Sequence, residues 1–514
     1  MEQTDTVAFG KPGTAPTWTS SAKDRIVTAL GTSRLWATIG HGILNEVFWP
    51  ATGQPQVRDL GFIVAGDNYW AEVKRISKYT LTTPAPYIPL PQVVHTGERY
   101  ALTLEFLPDP ARDVLLIRAK LDGEGLRLYP LLAPHLGMTG WRNTAWISDG
   151  LFAASEGQVL CLLSDPPFRR ASAGYVGSSD GWQDFSQNGA MTWTFARADE
   201  GNVALMGELE AGESVLALAF GPTAEGARTL ARSSLTEGYT HVRKYFIAGW
   251  EEWGGKLAFP APTPALAEAA SLSTAVIRMH EDRTYPGAIV ASLSTPWGNS
   301  TNDPGGYHLV WARDAAEAGF GLLAAGQAED VNHVLAYLAA TQNQDGGWYQ
   351  NFFPDGRPYW TGIQLDEVGF PILLAAKVLE LGMSGEPPVG NMVRKAAAYL
   401  AQRGPMSPQD RWEENPGASP FTLAVEVAAL VAAGRYYLEG TESEYALSLA
   451  DSWNERIEDW TYVRDTELSR SHGVDGYYVR INPPVDESGA RAGVLVKNRV
   501  GPPVPADTLV GLDF

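Results

Sequence analysis

The stretch Asp410-Arg411-Trp412-Glu413-Glu414-Asn415 sets two adjacent carboxylates beside an indole, on a long loop just before a predicted helix. One reading is an acidic helix approach, since glutamates near a helix N-terminus interact favourably with its dipole. The other is chemical. Apolar aromatic surroundings and a like-charged neighbour both favour the protonated form of a carboxyl, which can then act as a general acid near neutrality. Sugar chemistry needs that group, because an alkoxide leaving group must be protonated as a glycosidic bond breaks. Two further loops share the character. Tyr307-His308-Leu309-Val310-Trp311-Ala312-Arg313-Asp314 offers aromatic platforms and an Arg/Asp pair able to chelate vicinal hydroxyls. Tyr359-Trp360-Thr361-Gly362-Ile363-Gln364-Leu365-Asp366 offers another indole next to amide and carboxylate. Each alone also fits a helix-start salt bridge with core aromatics. Three of them, each opening a predicted helix, converge on one end if those helices form a barrel.

Other motifs fail. Gly177-Ser178-Ser179-Asp180-Gly181 matches the G-x-S-x-G pattern of serine hydrolases, which requires a strand before it and a helix immediately after. Trp182-Gln183-Asp184-Phe185 follows inside a strand-rich region, so no such helix is expected. Gly255-Lys256 hints at a phosphate loop, but Trp250 and Leu257 stand where glycine and Ser/Thr are needed. No H-E-x-x-H occurs among the eight histidines. Asp and Glu number 59 against 39 Lys and Arg in 514 residues, a formal charge of -20. So acidic a chain has no general attraction for nucleic acid or an anionic membrane, and a neutral or cationic substrate fits better. Cys161 is the single cysteine, which excludes an intrachain disulfide and a thiolate zinc cage. The stretch MEQTDTVAFGKPGTAP lacks a basic region and an apolar run, so no signal peptide is expected there, and a cytoplasmic or a secreted location both stay open. No apolar run reaches transmembrane length.

The elements that position these loops change period along the chain. Up to about residue 255 the chain reads as strands. Tyr100, Leu102, Leu104 and Phe106 alternate with Ala101, Thr103 and Glu105, and Val114–Leu121 reads as a more fully buried strand. Similar runs, broken by Gly, Pro and Asp, recur to about residue 220, predicting an antiparallel β-sandwich. Gly249–Pro264 reads as a linker. Beyond it, Thr263-Pro264 and Ser419-Pro420 give cap-and-proline signals. Val331, Val334, Leu335 and Leu338 form a helical stripe. Further helices are predicted over about 264–282, 307–325, 364–381, 390–402, 420–438 and 442–460, about seven in all. The long loops 343–362 and 404–419 are of functional length. The expected organisation is therefore a β-sandwich domain over 1–255 and a helical domain over 256–514.

From about Gly31 onward the chain resembles glycoside hydrolase family 15, the glucoamylases and glucodextranases. W-x-R-D some hundred residues before a tryptophan followed by paired glutamates carries the resemblance, and Ser292–Gly298 and Val176–Asp184 also look like bacterial family segments. It implies a multidomain β + α fold, an N-terminal super-β-sandwich followed by an (α/α)6 barrel. It implies Glu413 as the general acid, Trp412 and Glu414 binding sugar beside it, and Arg313 and Asp314 holding hydroxyls of the terminal glucose. Tyr307 and Trp311 would line that subsite and Trp360 would stack on the sugar. Family members invert, acid and base standing roughly 6.5–9.5 Å apart, and release β-D-glucose from non-reducing ends of α-glucans or dextran-like oligosaccharides. The family's base, a glutamate in a late Glu-Gln motif, has no counterpart: Glu2-Gln3 is the only such pair. About seven predicted helices against twelve in a full barrel agree with that, and Ala506–Phe514 reads as the start of a further inner helix. The expectation is a barrel incomplete in this chain, with a second chain as a possible completing partner. Two other readings stand beside this one: an inverting disaccharide phosphorylase, and a non-catalytic carbohydrate-binding protein. No cofactor is expected; family members can carry calcium, which no EF-hand pattern marks here.

Overall fold

The computed structural model describes residues 6–259, 263–295, 305–382, 388–484, 493–497 and 499–511. Glu2-Gln3, residues 296–298 of the Ser292–Gly298 segment and residues 512–514 of the last stretch lie outside the described residues. The chain forms two compact units, Met1–Thr284 with Ser292–His308, and Tyr285–Ala291 with Leu309–Phe514.

The first unit is built on two antiparallel sheets. One runs in the order Arg25–Thr28, Trp36–Gly40, Ile43–Phe48, Pro55–Gly66, Arg127–Pro134, Val203–Glu208, Arg170–Tyr175, with Tyr69–Glu72 also paired to Pro55–Gly66. The other runs Arg197–Gly201, Asn143–Ile147, Leu151–Ser155, Gln158–Asp165, Glu213–Gly221, Val114–Asp122, Ala101–Pro108, Gln92–Thr96, Lys78–Thr82. The period of two decides which layer each residue joins. Leu60, Phe62 and Val64 enter the core shared by the sheets, together with Leu115, Ile117, Ala119, Leu102, Leu104 and Phe106. Ile63 and Ala65, on the opposite face, pack with Phe185. Val114 and Leu116 likewise face outward, into a second cluster with Phe246, Trp250 and Met279. Both faces of Val114–Ile117 are thus covered, as that apolar run requires, whereas Arg118, Lys120 and Asp122 further along the outward face are exposed.

The outer layers are helices: α1 (Val73–Ile76), α2 (Gly181–Asn188), α3 (Ala224–Glu237), α4 (Tyr239–Gly254) and α5 (Pro264–Met279). Three expectations are corrected here. The strand-like region ends near residue 221, and α3 and α4 follow it. Most of the supposed linker's aromatic part is the end of α4, where Val242, Phe246, Trp250 and Trp253 form one buried face. Trp250 Nε1 also donates to Thr28 O at 3.1 Å. Last, α2 does follow the Gly177–Gly181 turn, and the strand Arg170–Tyr175 precedes it, so the strand–turn–helix context is present after all. What disqualifies it as a nucleophile site is the serine. Ser179 is buried, its Oγ donating to Phe9 O at 2.6 Å and accepting from Tyr175 N at 3.0 Å.

The second unit is helical: α6 (Ala312–Ala324), α7 (Ala328–Thr341), α8 (Leu365–Glu380), α9 (Gly390–Arg403), α10 (Pro420–Tyr436), α11 (Gly440–Asn454), α12 (Ile457–Thr461) and α13 (Glu467–His472). Helices α6, α8 and α10 pack side by side, and each is followed by a helix that packs back on it, the pairwise arrangement of an (α/α)6 barrel. Val331, Val334, Leu335 and Leu338 are buried, as the stripe predicts. The loop 343–362 carries a small hairpin, Asn351–Phe352 with Pro358–Trp360. Residues 506–511 do not start a helix of the barrel kind. They form a 3-10 turn, Ala506–Thr508, after which Val510 bridges Val479 and Gly511 N donates to Tyr478 O at 2.8 Å. No helix among the described residues is long and apolar enough to cross a membrane.

Candidate active site

Helices α6, α8 and α10 each begin where one of the three aromatic–acidic loops ends, and the loops are tied to one another. The N-cap of α6, Trp311, makes no side-chain cap bond; instead Glu367, in the first turn of α8, accepts from Ala312 N at 2.8 Å. A carboxylate of a neighbouring helix thus satisfies a donor that the α6 N-terminus leaves unpaired. Leu365 N, at the start of α8, donates to Ser407 Oγ at 3.2 Å, and Gln364 Nε2 donates to Asp410 O, joining the second loop to the third.

Within the third loop Asp410 is the organiser. It is almost fully buried, and its Oδ1 accepts from Glu414 N at 2.9 Å and Asn415 N at 3.4 Å. Glu413 N closes a tight turn on Asp410 O at 2.9 Å. That turn puts Glu413 at φ 64°, the left-handed region where a residue with a Cβ is strained by roughly 1–2 kcal/mol. Such strain persists where surrounding contacts over-determine it, and it concentrates at functional sites. Here the contacts come from two directions. Trp311 Nε1 donates to Glu413 Oε1 at 2.9 Å, and Lys497 Nζ stands 3.7 Å from Oε2.

Glu414 and Asp410 are held differently. Arg480 donates to Glu414 Oε2 and, at 3.0 Å, to Asp410 Oδ2; Lys497 N donates to Glu414 Oε1 at 2.6 Å. Asn415 fastens the same late segment, exchanging two 2.8 Å bonds with the backbone of Leu495. Arg313 is buried in a ring of carboxylates: Asp366 at 2.9 Å, Asp314 at 3.3 Å and Glu367 at 3.5 Å. Burial opposes its charge, but Glu367, Asp366 and Asp314 more than offset that and push its pKa above the ordinary value. Burial raises Glu367 well above the usual carboxylate range, with Arg313 pulling the other way.

Of the residues expected at a sugar site, the helical unit brings together Trp311 and Glu413 directly, with Trp412 and Glu414 on the same loop and Arg313 and Asp314 one helix turn from Trp311. Trp311 is buried, whereas Trp412 is 52% exposed and Trp360, on the hairpin, is 39% exposed. Tyr307 belongs to the first unit, where its backbone pairs with Ser292 and Ser294. Sequence reasoning did not single out Arg480, Lys497 or Glu367, nor the roles of Asp366, Asp410 and Asn415. The first two lie 66 and 83 residues from Glu414 in the chain. Their only signal is a requirement: two adjacent carboxylates, once buried, need cations from somewhere.

Comparison with known proteins shows the family. The family model for the glucodextranase N domain matches residues 8–255, and that for glycosyl hydrolases family 15 matches residues 269–507. A glucoamylase of Clostridium sp. (strain G0005) is 30% identical over 504 residues, covering 92% of this chain and 69% of the relative. An uncharacterized glycosyl hydrolase of Methanocaldococcus jannaschii is 28% identical over 160 residues, covering 30% of this chain and 24% of that protein. The crystal structure of a bacterial glucoamylase complexed with acarbose superposes with a TM-score of 0.85 at 29% identity, covering 93% of this chain and 72% of that one. The aromatic–acidic loops at the starts of α6, α8 and α10, the sandwich before them and these relatives agree: the chain belongs to glycosyl hydrolases family 15 and is a glucoamylase-like glycosidase.

Proposed function

We propose that the chain is an inverting, exo-acting α-glucoside hydrolase that releases β-D-glucose from non-reducing ends, with Glu413 as its general acid. The observation that carries the assignment is the Trp311–Glu413 hydrogen bond on a backbone-strained glutamate. Between the two adjacent glutamates, Glu414 has both oxygens occupied by Arg480 and Lys497 N and serves as an acceptor. Glu413 has Oε1 oriented by the indole and Oε2 turned toward the ammonium, at a distance beyond a hydrogen bond. Oε2 is therefore the oxygen placed to carry a proton to substrate.

In the reaction, Glu413 gives that proton to the glycosidic oxygen as the C1–O bond breaks, and water adds to C1 from the opposite face, giving up a proton as its bond to C1 forms. The carboxylate left behind is stabilised by the Trp311 N–H and by the Lys497 ammonium. Groups that stabilise charge only as it develops are the ones that lower the barrier. Arg313 and Asp314 hold hydroxyls of the terminal glucose, with Trp360 and Trp412 as apolar surfaces for sugar faces and Trp311 lining the subsite. This reading assigns the acid and no residue to the base.

Proton NMR of a maltotriose digest tests the proposal. Inverting exo cleavage gives maltose and glucose, with the β anomer of glucose appearing first. Initial α-glucose, or maltotriose cut from its reducing end, would refute it.

A further inference from the structure

The acid's position fixes where the leaving sugar must lie. A glycosidic oxygen that takes a proton from Glu413 Oε2 sits about 2.6–3.2 Å from it. The sugar bonded to that oxygen then extends past whatever flanks Oε2. Lys497 is that flank. Its Nζ is 3.7 Å from Glu413 Oε2 and its side chain is 57% exposed. A hydroxyl of the leaving sugar close to the glycosidic oxygen falls within hydrogen-bond reach of an ammonium so placed.

The lysine is positioned, not merely nearby. Its own N–H is bonded to Glu414 Oε1, and two residues earlier Leu495 is clamped by Asn415 through two bonds. The other cations of the loop are committed elsewhere. Arg480 serves Asp410 and Glu414, and the Arg411 guanidinium lies over the rings of Phe421 at 4.4 Å and Trp412 at 5.7 Å. Of the three ammonium N–H groups of Lys497, one makes a long 3.5 Å bond to Trp412 O; no other hydrogen bond joins Nζ to the described residues.

We propose that Lys497 donates hydrogen bonds to hydroxyls of the leaving sugar and so determines preference for oligosaccharides over glucosides with small aglycones. This deepens the glucosidase reading and rests on it. Titration calorimetry in a Glu413→Gln background, which stops turnover, isolates the contact with two probes, maltose and methyl α-D-glucopyranoside. Both carry a glycosidic oxygen, but only maltose carries leaving-group hydroxyls. Adding Lys497→Met should weaken maltose binding about tenfold, what one hydrogen bond to a charged group contributes, and leave the methyl glucoside within about twofold. Lys497→Arg should restore most of the loss and guards against misfolding of the methionine variant. Equal weakening of both ligands, or none, would overturn the inference. No glucose release from maltose by the unsubstituted chain would instead overturn the reading beneath it.

Discussion

Two turns of this molecule are organised by a buried aspartate, one in each unit. In the sandwich, Asp180 accepts from Gly177 N at 2.6 Å, Trp182 N at 2.9 Å and Gln183 N at 3.1 Å. In the helical unit, Asp410 does the same for Glu414 N and Asn415 N. Each turn needs one residue at positive φ, Gly177 at 78° and Glu413 at 64°. The first turn places that requirement on glycine and consumes its one reactive-looking side chain, Ser179, in two internal hydrogen bonds. The second places it on the glutamate itself and leaves one carboxylate oxygen facing the Lys497 ammonium at 3.7 Å, with no hydrogen bond among the described residues. A motif's outline is therefore a weaker guide to chemistry than whether its polar atoms are spent on the fold.

Substitutions can break or sharpen this contrast. Arg480→Met should have the largest effect, since it strands the buried Asp410 and its neighbour Glu414 without their half-buried cation. A destabilisation of about 3–5 kcal/mol is expected in denaturant melts, and a loss under about 1 kcal/mol would mean that the loop does not depend on this pair. Trp311→Phe removes the N–H on Glu413 Oε1 together with one ring of a buried indole. The turnover number should fall about 10–100-fold, with some loss of melting temperature from the smaller ring, and equal turnover would remove the indole N–H from the mechanism. In the spent turn, Gly177→Ala forces a Cβ to within 2.4 Å of Thr14 Cγ2 at a strained φ, so a loss of about 1–2 kcal/mol is expected. Ser179→Ala, beside it, should leave glucose release unchanged.

A smaller change in stability concerns Glu426, buried in α10 with no hydrogen bond to either oxygen among the described residues. Burial, and secondarily the charge of Asp366, raise it well above the usual carboxylate range. The folded chain then keeps a proton that the unfolded chain loses near pH 4.5. Stability from this group is present below that pH, falls as pH rises toward the folded value, and levels off above it. Glu426→Gln removes this dependence. Its melting temperature should match the parent at pH 4 and exceed it at pH 8 by about 2–4 °C, what about 1 kcal/mol amounts to in a domain of this size.

How much was legible in the sequence follows from how local each signal is. Helices α7, α8, α9 and α10 declare themselves because branched and apolar side chains recur at helical spacing over whole turns. Helix α3 does not, because its buried face is Ala227, Ala231 and Ser234, too small to stand out against its polar residues. The aromatic end of α4 reads as a linker because Gly249, Gly254 and Gly255 interrupt its pattern. Helix α2 escapes notice because it spans eight residues and is placed mainly by Phe185 against the sheet. At the site, the acid loop is visible because its tryptophan and glutamates are contiguous. The cap from Glu367, the clamp from Asn415 and the cations Arg480 and Lys497 depend on segments brought together only by folding, and no spacing rule reaches them.

The central claim is that Glu413 is the general acid. It is tested most directly by comparing the unsubstituted chain with Glu413→Gln, measuring maltose affinity by calorimetry and glucose release from the same sugar. The account predicts binding within a few-fold and glucose release slower by about 10²–10⁴-fold, the usual contribution of a positioned acid. Glucose release within a few-fold of the parent would contradict it.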